Sequence, residues 1–247
     1  MLLAYGRFLF KYRNALFPVL FLSLALFFPP TAAFGSAMAD RLLDLVGFAV
    51  LLAGLAMRAL VIGLEYIRRG GKDGKVYAVD LVTGGIFASC RNPLYVGNLL
   101  ILAGMVLIWH NWVVYAVATL FGISSYIAIV AAEEDFLLDK FGDAYRAYCA
   151  DVNRWLPNPD KLAEALANGR LNLAQIVVKD YNTWFTWFST VLLLLFYERR
   201  SAAEYLAEAG STGWIWGTMA LLFVLYVLVY FLKKSQRLNA RGWNSNR

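Results

Sequence analysis

Long apolar runs recur along the chain and are separated by short polar segments. A bilayer core of about 30 Å needs roughly 20 apolar residues in a helix. Six runs approach or reach that length, at 15–28, 42–64, 94–109, 112–132, 184–197 and 214–232. The first and fifth are short for a span, so each must tilt, extend into flanking residues or be partly re-entrant. The pattern predicts an all-α, polytopic integral membrane protein with about six transmembrane helices.

The positions of Lys and Arg predict how these helices are oriented. Runs 94–109 and 112–132 are separated only by His110 and Asn111, which indicates a tight helical hairpin. With a cytosolic amino terminus, all 23 basic residues fall on the cytosolic side except four: Arg41, Arg58, Arg199 and Arg200. Cytosolic loops are enriched in Lys and Arg. We therefore expect both termini in the cytosol, as in a bacterial inner membrane.

Composition excludes several classes of protein. The chain is 60% apolar and 16% charged, against about 45–50% and 25% in an average soluble domain, so a water-soluble fold is excluded. Membrane topology explains the net charge of +6, so no nucleic-acid partner is predicted. Two cysteines exclude a disulfide framework, and a single histidine argues against most zinc sites. We therefore predict that no metal is bound.

The first 40 residues also have features of a secretory signal. Basic residues precede an apolar run, and Ala37-Met38-Ala39 has the A-x-A pattern of a cleavage site. Small residues after a first membrane helix are also common, and the downstream topology is the same in both cases. We expect the first helix to be retained.

Two polar segments are too long to be simple connectors. The first, at 65–93, includes the glycine-rich stretch 68–74, which predicts a flexible turn. The second, at 133–180, begins with Glu133, Glu134 and Asp135 at the cytosolic end of the fourth predicted helix. Since the helical hairpin joins them on one side of the membrane, the two segments are expected to meet.

The tripeptide Arg91-Asn92-Pro93 has two interpretations. Asn is a favoured N-cap and Pro a favoured first helical residue, so it can simply begin the third helix. A helix start also presents free N–H groups and a positive dipole end, which suit a carboxylate or phosphate. Gly84-Gly85 can likewise form an ordinary turn or let a ligand approach the backbone.

The acidic cluster favours a ligand with hydroxyls, amines or positive charge, because acids at a helix C-terminus oppose the helix dipole. Adjacent helical residues point about 100° apart, so only one of Glu133 and Glu134 can face that ligand fully. Arg58, inside the second helix, is expected to pair with Asp44 or Glu65 or to reach the interface.

Two further residues are not assigned chemistry. His110 lies at the far hairpin turn and Cys90 lacks an evident base, so neither is expected to be catalytic.

Three motifs together resemble one superfamily. They are the segment 80–87, DLVTGGIF; Arg91-Asn92-Pro93-Leu94-Tyr95-Val96-Gly97; and, after the hairpin, Glu133-Glu134 followed by Phe141-Gly142, Tyr145, Tyr148 and Leu156-Pro157. This combination, over about residues 42–157, resembles the isoprenylcysteine carboxyl methyltransferases and phospholipid methyltransferases. The resemblance implies cytosolic loops that bind S-adenosylmethionine and a lipid or lipid-like acceptor that enters from the bilayer.

The resemblance also implies site residues. The cofactor-binding residues carried over from the motifs are Asp80, Leu81, Val82, Gly85, Phe87, Asn92, Pro93, Leu94, Tyr95 and Glu133. If the acceptor is an amine, Glu134 or Asp135 is the candidate catalytic base. Asn92 stands where prenylcysteine enzymes commonly have His, as in many bacterial relatives. Ile129 stands where those enzymes have an Arg that engages the substrate carboxylate, and the missing Arg argues against a prenylcysteine substrate.

The predicted organisation has four parts: an N-terminal helix and connector at 1–41, a methyltransferase core at 42–157 containing the hairpin 94–132, a cytosolic connector at 158–183, and a two-helix extension with a basic tail at 184–247. Two other functions remain open. Membrane reductases resemble the same region but bind NADPH, whose phosphate would suit Arg68, Arg69, Lys72 and Lys75. A non-catalytic membrane scaffold or a small transporter is the other alternative.

Overall fold

The computed structural model describes residues 1–65, 69–72, 75–201 and 212–235, with residues 69–72 and 75 described by their backbone alone. Its helices are α1 Leu2–Phe27, α2 Ala37–Leu64, α3 Pro93–Trp109, α4 Trp112–Phe141, α5 Asp143–Asp151, α6 Pro159–Asn168, α7 Leu173–Ser201 and α8 Gly213–Lys234. Two short 3-10 turns lie at Ala33–Gly35 and Gly85–Ala88. The predicted helical fold class is confirmed in this coarse form.

Four of these helices are long and apolar enough to cross a membrane, namely α1, α2, α4 and α8. The apolar helix α3 is shorter, at 17 residues, which is about 26 Å of helix. The fifth predicted run lies inside α7, whose 29 residues also include charged positions. The chain is therefore an integral membrane protein by its apolar helices, while the count of six spans stays a prediction.

The predicted tight hairpin between α3 and α4 is present. His110 adopts a left-handed conformation with φ 51° at the end of α3. The Asn111 side chain then accepts hydrogen bonds from the backbone N–H groups of Val113 and Val114, which caps α4. Two residues thus reverse the chain, and the loops before α3 and after α4 lie at one end of the molecule. We call this end the loop end and the other, at His110, the hairpin end.

The stretch predicted as a flexible turn is instead part of a β-hairpin. Strands β1 Arg69–Lys72 and β2 Lys75–Ala78 pair antiparallel, with Arg69 opposite Ala78 and Lys72 opposite Lys75. Residues 68, 73 and 74 of the predicted turn lie outside the described residues. Asp-Gly between short strands is a strong hairpin signal, and this signal could have corrected the prediction.

Glycines bring α2 and α3 into backbone contact. A Cβ added at Gly54 would lie 2.6 Å from the Gly97 carbonyl oxygen, and one added at Gly104 would lie 2.4 Å from the Gly47 carbonyl oxygen. Close approach through small residues is a main source of helix association in lipid. The two glycines of α2 are seven residues apart, at 47 and 54, and so are those of α3, at 97 and 104. This spacing places both contacts along one line between the helices, which we call the α2–α3 seam.

The last two helices complete the bundle. Helix α7 packs on α2 and α3, and α8 packs on α7. Buried side chains of α7, including Val191 and Leu194, join the apolar core between α2 and α3. Most of α8 is exposed, as expected for a helix that faces lipid. The extension at 184–247 is therefore not separate from the predicted core in its described part.

Candidate functional site

The two polar segments meet at the loop end, as expected. The Arg91 backbone N–H donates to the Asn153 carbonyl at 2.9 Å, and the Asn158 N–H donates to the Ser89 carbonyl at 2.8 Å. The backbone before α3 is thus held by the chain that follows α5. Local sequence cannot specify these bonds, because the paired residues are 62 and 69 positions apart.

The F-G-x-x-Y-x-x-Y motif explains part of this arrangement. Gly142 has φ 53° and ends α4, so the chain turns into α5 at a conformation that favours glycine. Tyr148 on α5 then donates its hydroxyl to the Phe87 carbonyl at 2.8 Å. The neighbouring Tyr145 is buried, and its burial raises the pKa of the phenol well above its usual value. The motif therefore holds the 3-10 turn that carries Phe87.

Helix α3 begins at the predicted residue, but Asn92 does not cap it with its side chain. Pro93 is the first helical residue and Asn92 occupies the N-cap position, yet the Asn92 side chain makes no cap bond. Its amide donates instead to Glu134 Oε1 and to the Arg154 carbonyl, each at 3.2 Å. Asn92 therefore joins α3 to α4, and its side chain is turned away from the helix start.

Glu133 and Glu134 point to different surroundings, as helix geometry predicts. Glu134 is buried, with Oε2 2.7 Å from Arg154 Nη2 and Oε1 3.7 Å from Arg91 Nε. Asp135 pairs with Arg7 of α1 at 2.8 Å. The predicted base candidates are thus both held in ion pairs, and neither is among the cavity-lining residues described next. The structure gives no support to their assignment as base.

A cavity of about 1280 Å³ lies between α1, α2, α3, α4 and α7. Its polar lining comes from residues near the loop end, such as Arg58, Asn98, Glu133 and Asn182. Its deeper lining is mostly apolar and aromatic, and includes Phe17, Phe21, Met105, Trp109, Trp187 and Leu194. The cavity therefore extends from the polar loop end into the part of the bundle that lies within the bilayer.

Tyr95 and Glu133 form the polar centre of this cavity. The Tyr95 hydroxyl donates to Glu133 Oε1 at 2.5 Å, and Arg13 Nη1 of α1 donates to the same hydroxyl at 3.4 Å. The Tyr95 ring also packs against Tyr126, with centroids 5.6 Å apart. A carboxylate, a phenol and a cation are thus arranged beside an aromatic pair, which can bind a polar and partly cationic ligand.

Five of the predicted cofactor residues line the cavity: Phe87, Asn92, Leu94, Tyr95 and Glu133. The other five are not among its lining: Asp80, Leu81, Val82, Gly85 and Pro93. Asp80 is exposed, while Leu81 and Val82 pack on separate apolar clusters. Gly85 has φ 56°, and a Cβ there would lie 1.6 Å from Glu65 Oε1. Glu65 lines the cavity, so Gly85 lies directly behind a cavity-lining side chain.

Arg58 does not pair as predicted. Its guanidinium forms an ion pair with Asp180 of α7 and also donates to Asn98 Oδ1 at 2.6 Å. Asp44, one of the predicted partners, lies instead 3.6 Å from His110 at the hairpin end. The prediction failed because Asp180 is 122 positions away, and sequence offers no signal for that contact.

Two other sequence interpretations can be compared with the structure. Burial raises the pKa of the Cys90 thiol to about 11, and the thiol donates to the Trp155 carbonyl at 3.3 Å, which agrees with a packing role. Ile129 is fully buried against Leu9 and Phe10. Position 129, where prenylcysteine enzymes have an Arg, therefore faces α1 in this chain.

Several cavity residues were missed by the sequence analysis: Arg13, Asn98, Tyr126, Lys179 and Asn182. Asn98 could have been found, because an amide inside an apolar run is unusual. Arg13 and Lys179 look like ordinary flanking charges at helix ends, and only the packing of α1 and α7 brings them to the cavity.

The comparisons with known proteins give one match. No curated protein and no solved structure is significantly similar to the chain. The phospholipid methyltransferase family model matches residues 43–144, a range that contains the motifs from Asp80 to Glu134. Residues 43–144 are therefore similar to the phospholipid methyltransferase family, as the motifs indicated, and the chain is an integral membrane protein by its apolar helices.

Proposed function

We propose that this protein transfers a methyl group from S-adenosylmethionine to a lipid or lipid-like acceptor within the bilayer. One observation carries the proposal: family-motif residues and a deep apolar lining share one cavity. The polar loop end suits a nucleoside cofactor from the cytosol, and the apolar part suits a hydrocarbon chain. A reaction between a water-soluble donor and a lipid needs both surfaces in contact.

The cavity residues suit the donor chemically. The Glu133 carboxylate can accept hydrogen bonds from ribose hydroxyls or an amine, and the start of α3 can contact the methionyl carboxylate through the Leu94 N–H and the helix dipole. The rings of Phe87 and Tyr95 can lie near a sulfonium as cation–π partners. The donor supplies an activated methyl group, and the protein has to align it with the acceptor.

The size of the cavity supports a second ligand. Pockets for single small ligands usually measure about 300–1,000 Å³, and this cavity measures about 1280 Å³. Its deeper aromatic lining, with Trp109 and Trp187, favours burial of an apolar chain. We therefore propose that the acceptor occupies the deeper part, with its reacting group toward Tyr95 and Glu133.

Catalysis in this scheme depends on alignment. Holding nucleophile and methyl group in line converts a bimolecular step into a unimolecular one and can lower the barrier by several kcal/mol. An amine acceptor must also lose a proton. We propose Glu133 for this task in place of Glu134 and Asp135, because Glu133 lines the cavity and is hydrogen-bonded to Tyr95.

Ligand-dependent thermal stability of the detergent-solubilised protein tests the donor. A ligand that binds only the native state raises Tm, so we expect S-adenosylmethionine to raise it. The Glu133→Gln variant should bind S-adenosylmethionine at least about tenfold more weakly, because it lacks the charged hydrogen-bond acceptor. Glu164→Gln on the exposed face of α6 is the matched control. A shift with NADPH alone would favour the reductase, and no shift with either would favour the scaffold or transporter.

The same assay tests the basic residues assigned to the reductase alternative. Arg68, together with the side chains of Arg69, Lys72 and Lys75, lies outside the described residues. Their substitution to Gln should leave the S-adenosylmethionine shift unchanged if the donor binds at Glu133.

Lipid analysis tests the acceptor. Purified protein, S-adenosylmethionine carrying a labelled methyl group and lipid extract should yield a lipid heavier by one CH₂ that carries the label. Labelled product only in the water-soluble fraction would contradict a lipid acceptor.

A further inference from the structure

The single histidine of the chain lies in a buried acidic cluster at the hairpin end, far from the loop-end site. His110 Nδ1 lies 2.9 Å from Asp40 Oδ1 and 3.2 Å from Glu198 Oε1. All three residues are buried, with at most 4% exposed. They come from the first turn of α2, the α3–α4 turn and the end of α7, three elements that only the tertiary structure brings together.

The charges of this cluster are not balanced by its own side chains. Asp44 is a third carboxylate, and Arg199 is the neighbouring cation, 5.1 Å from the Trp214 ring. Three carboxylates, a neutral imidazole and the Arg199 cation would together carry two excess negative charges, which a divalent cation would neutralise. Burying such charge without a counterion is costly.

The surroundings of His110 suit a ring that binds a metal ion through Nδ1. Its side chain has no exposed surface, yet Nε2 has no hydrogen-bond partner within the described residues, and neither has Asp44 Oδ1, 3.6 Å away. A proton on Nε2 would face Asp44, which leaves the lone pair of Nδ1 directed at Asp40 and Glu198. Metal-binding histidines show this arrangement, with the other ring nitrogen directed at a carboxylate.

We propose that Asp40, His110 and Glu198 bind a divalent transition-metal ion through Oδ1, Nδ1 and Oε1. Their donor atoms all lie within 4.8 Å of one another. Two ligands at zinc bond lengths lie about 3.3 Å apart in tetrahedral geometry, close to the two distances measured from Nδ1. The ion would clamp α2, the hairpin and α7 together at this end. The sequence analysis predicted no metal because it weighed the number of histidines and not their surroundings.

Metal content and Co²⁺ spectroscopy of the full-length protein in detergent test the proposal. After chelation and dialysis against ZnCl₂, we expect one zinc per chain and a higher Tm than in the chelated protein. Co²⁺ should give visible absorption bands typical of a four-coordinate site. Glu198→Gln, which keeps the side-chain shape, should weaken zinc binding at least tenfold and abolish these bands.

The matched control is Glu164→Gln, an exposed carboxylate on α6 that should bind zinc as the parent does. Folding of each variant is checked by the Tm shift with S-adenosylmethionine, or by circular dichroism if that ligand does not bind. Absence of bound zinc and of a Tm change in the parent protein would overturn the proposal. Zinc retained equally by folded Glu198→Gln would also overturn it.

Discussion

At the scale of single residues, two adjacent glutamates have separate tasks. Glu133 lines the cavity and accepts from Tyr95, whereas Glu134 is buried beneath Arg91 and Arg154. The turn of about 100° between neighbouring helical residues explains the division. One carboxylate lies at the wall of the cavity, and the other holds the loop that carries Asn92.

This division predicts different effects of the two neutral substitutions. Glu134→Gln should lower the free energy of unfolding by about 1–2 kcal/mol, because it removes the carboxylate next to Arg91 and Arg154; the value is modest because Arg154 is half exposed. Glu133→Gln should leave the Tm of the free protein nearly unchanged and reduce its shift with S-adenosylmethionine. Thermal unfolding with and without ligand measures both, and the reverse pattern would contradict these roles.

At the scale of helices, the seam between α2 and α3 determines how closely the core packs. Gly47 faces Gly104 and Gly54 faces Gly97, so the backbones touch where side chains would separate them. This contact positions the start of α3 against α2, and therefore positions Asn92 and Tyr95. The geometry of the candidate site therefore depends on glycine contacts that carry no functional group themselves.

We expect Gly54→Ala to destabilise the protein by about 1–3 kcal/mol, the usual cost of overpacking, because the new Cβ would lie 2.6 Å from the Gly97 oxygen. The matched control is Gly217→Ala in α8, where a Cβ meets nothing within 4 Å. That substitution should be neutral or slightly stabilising, since Ala favours helix. Equal effects of the two substitutions on unfolding would show that the seam contributes little.

At the scale of the whole molecule, α7 connects the C-terminal extension to the segment that matches the family model. Asp180 and Thr183 bind Arg58, and Gln175 donates to the Glu65 carbonyl at the end of α2. The same helix contributes Lys179 and Trp187 to the cavity. The family match ends at residue 144, so this wall of the cavity lies outside the matched segment.

Asp180→Asn should cost about 3 kcal/mol, because it leaves Arg58, whose side chain is only 12% exposed, without its buried counter-charge. The double variant with Arg58→Met should recover part of that loss, since neither charge then remains buried. Asp143→Asn, which breaks an exposed pair with Arg146, should change stability by less than about 1 kcal/mol. A double-mutant cycle measured by unfolding in detergent provides these values, and additive single effects would contradict the coupling.

The sequence by itself determined the membrane class, the helical hairpin and the similarity of residues 43–144 to the phospholipid methyltransferase family, because long apolar runs and local motifs depend on neighbouring residues. It also placed Phe87, Asn92, Leu94, Tyr95 and Glu133 in the candidate site through their motifs. Only the tertiary structure decided that Glu134 is an ion-pair residue, that Arg58 pairs with Asp180, and that His110 lies among buried acids. Each of these contacts joins distant segments, so its partner depends on how the helices pack and not on any local pattern.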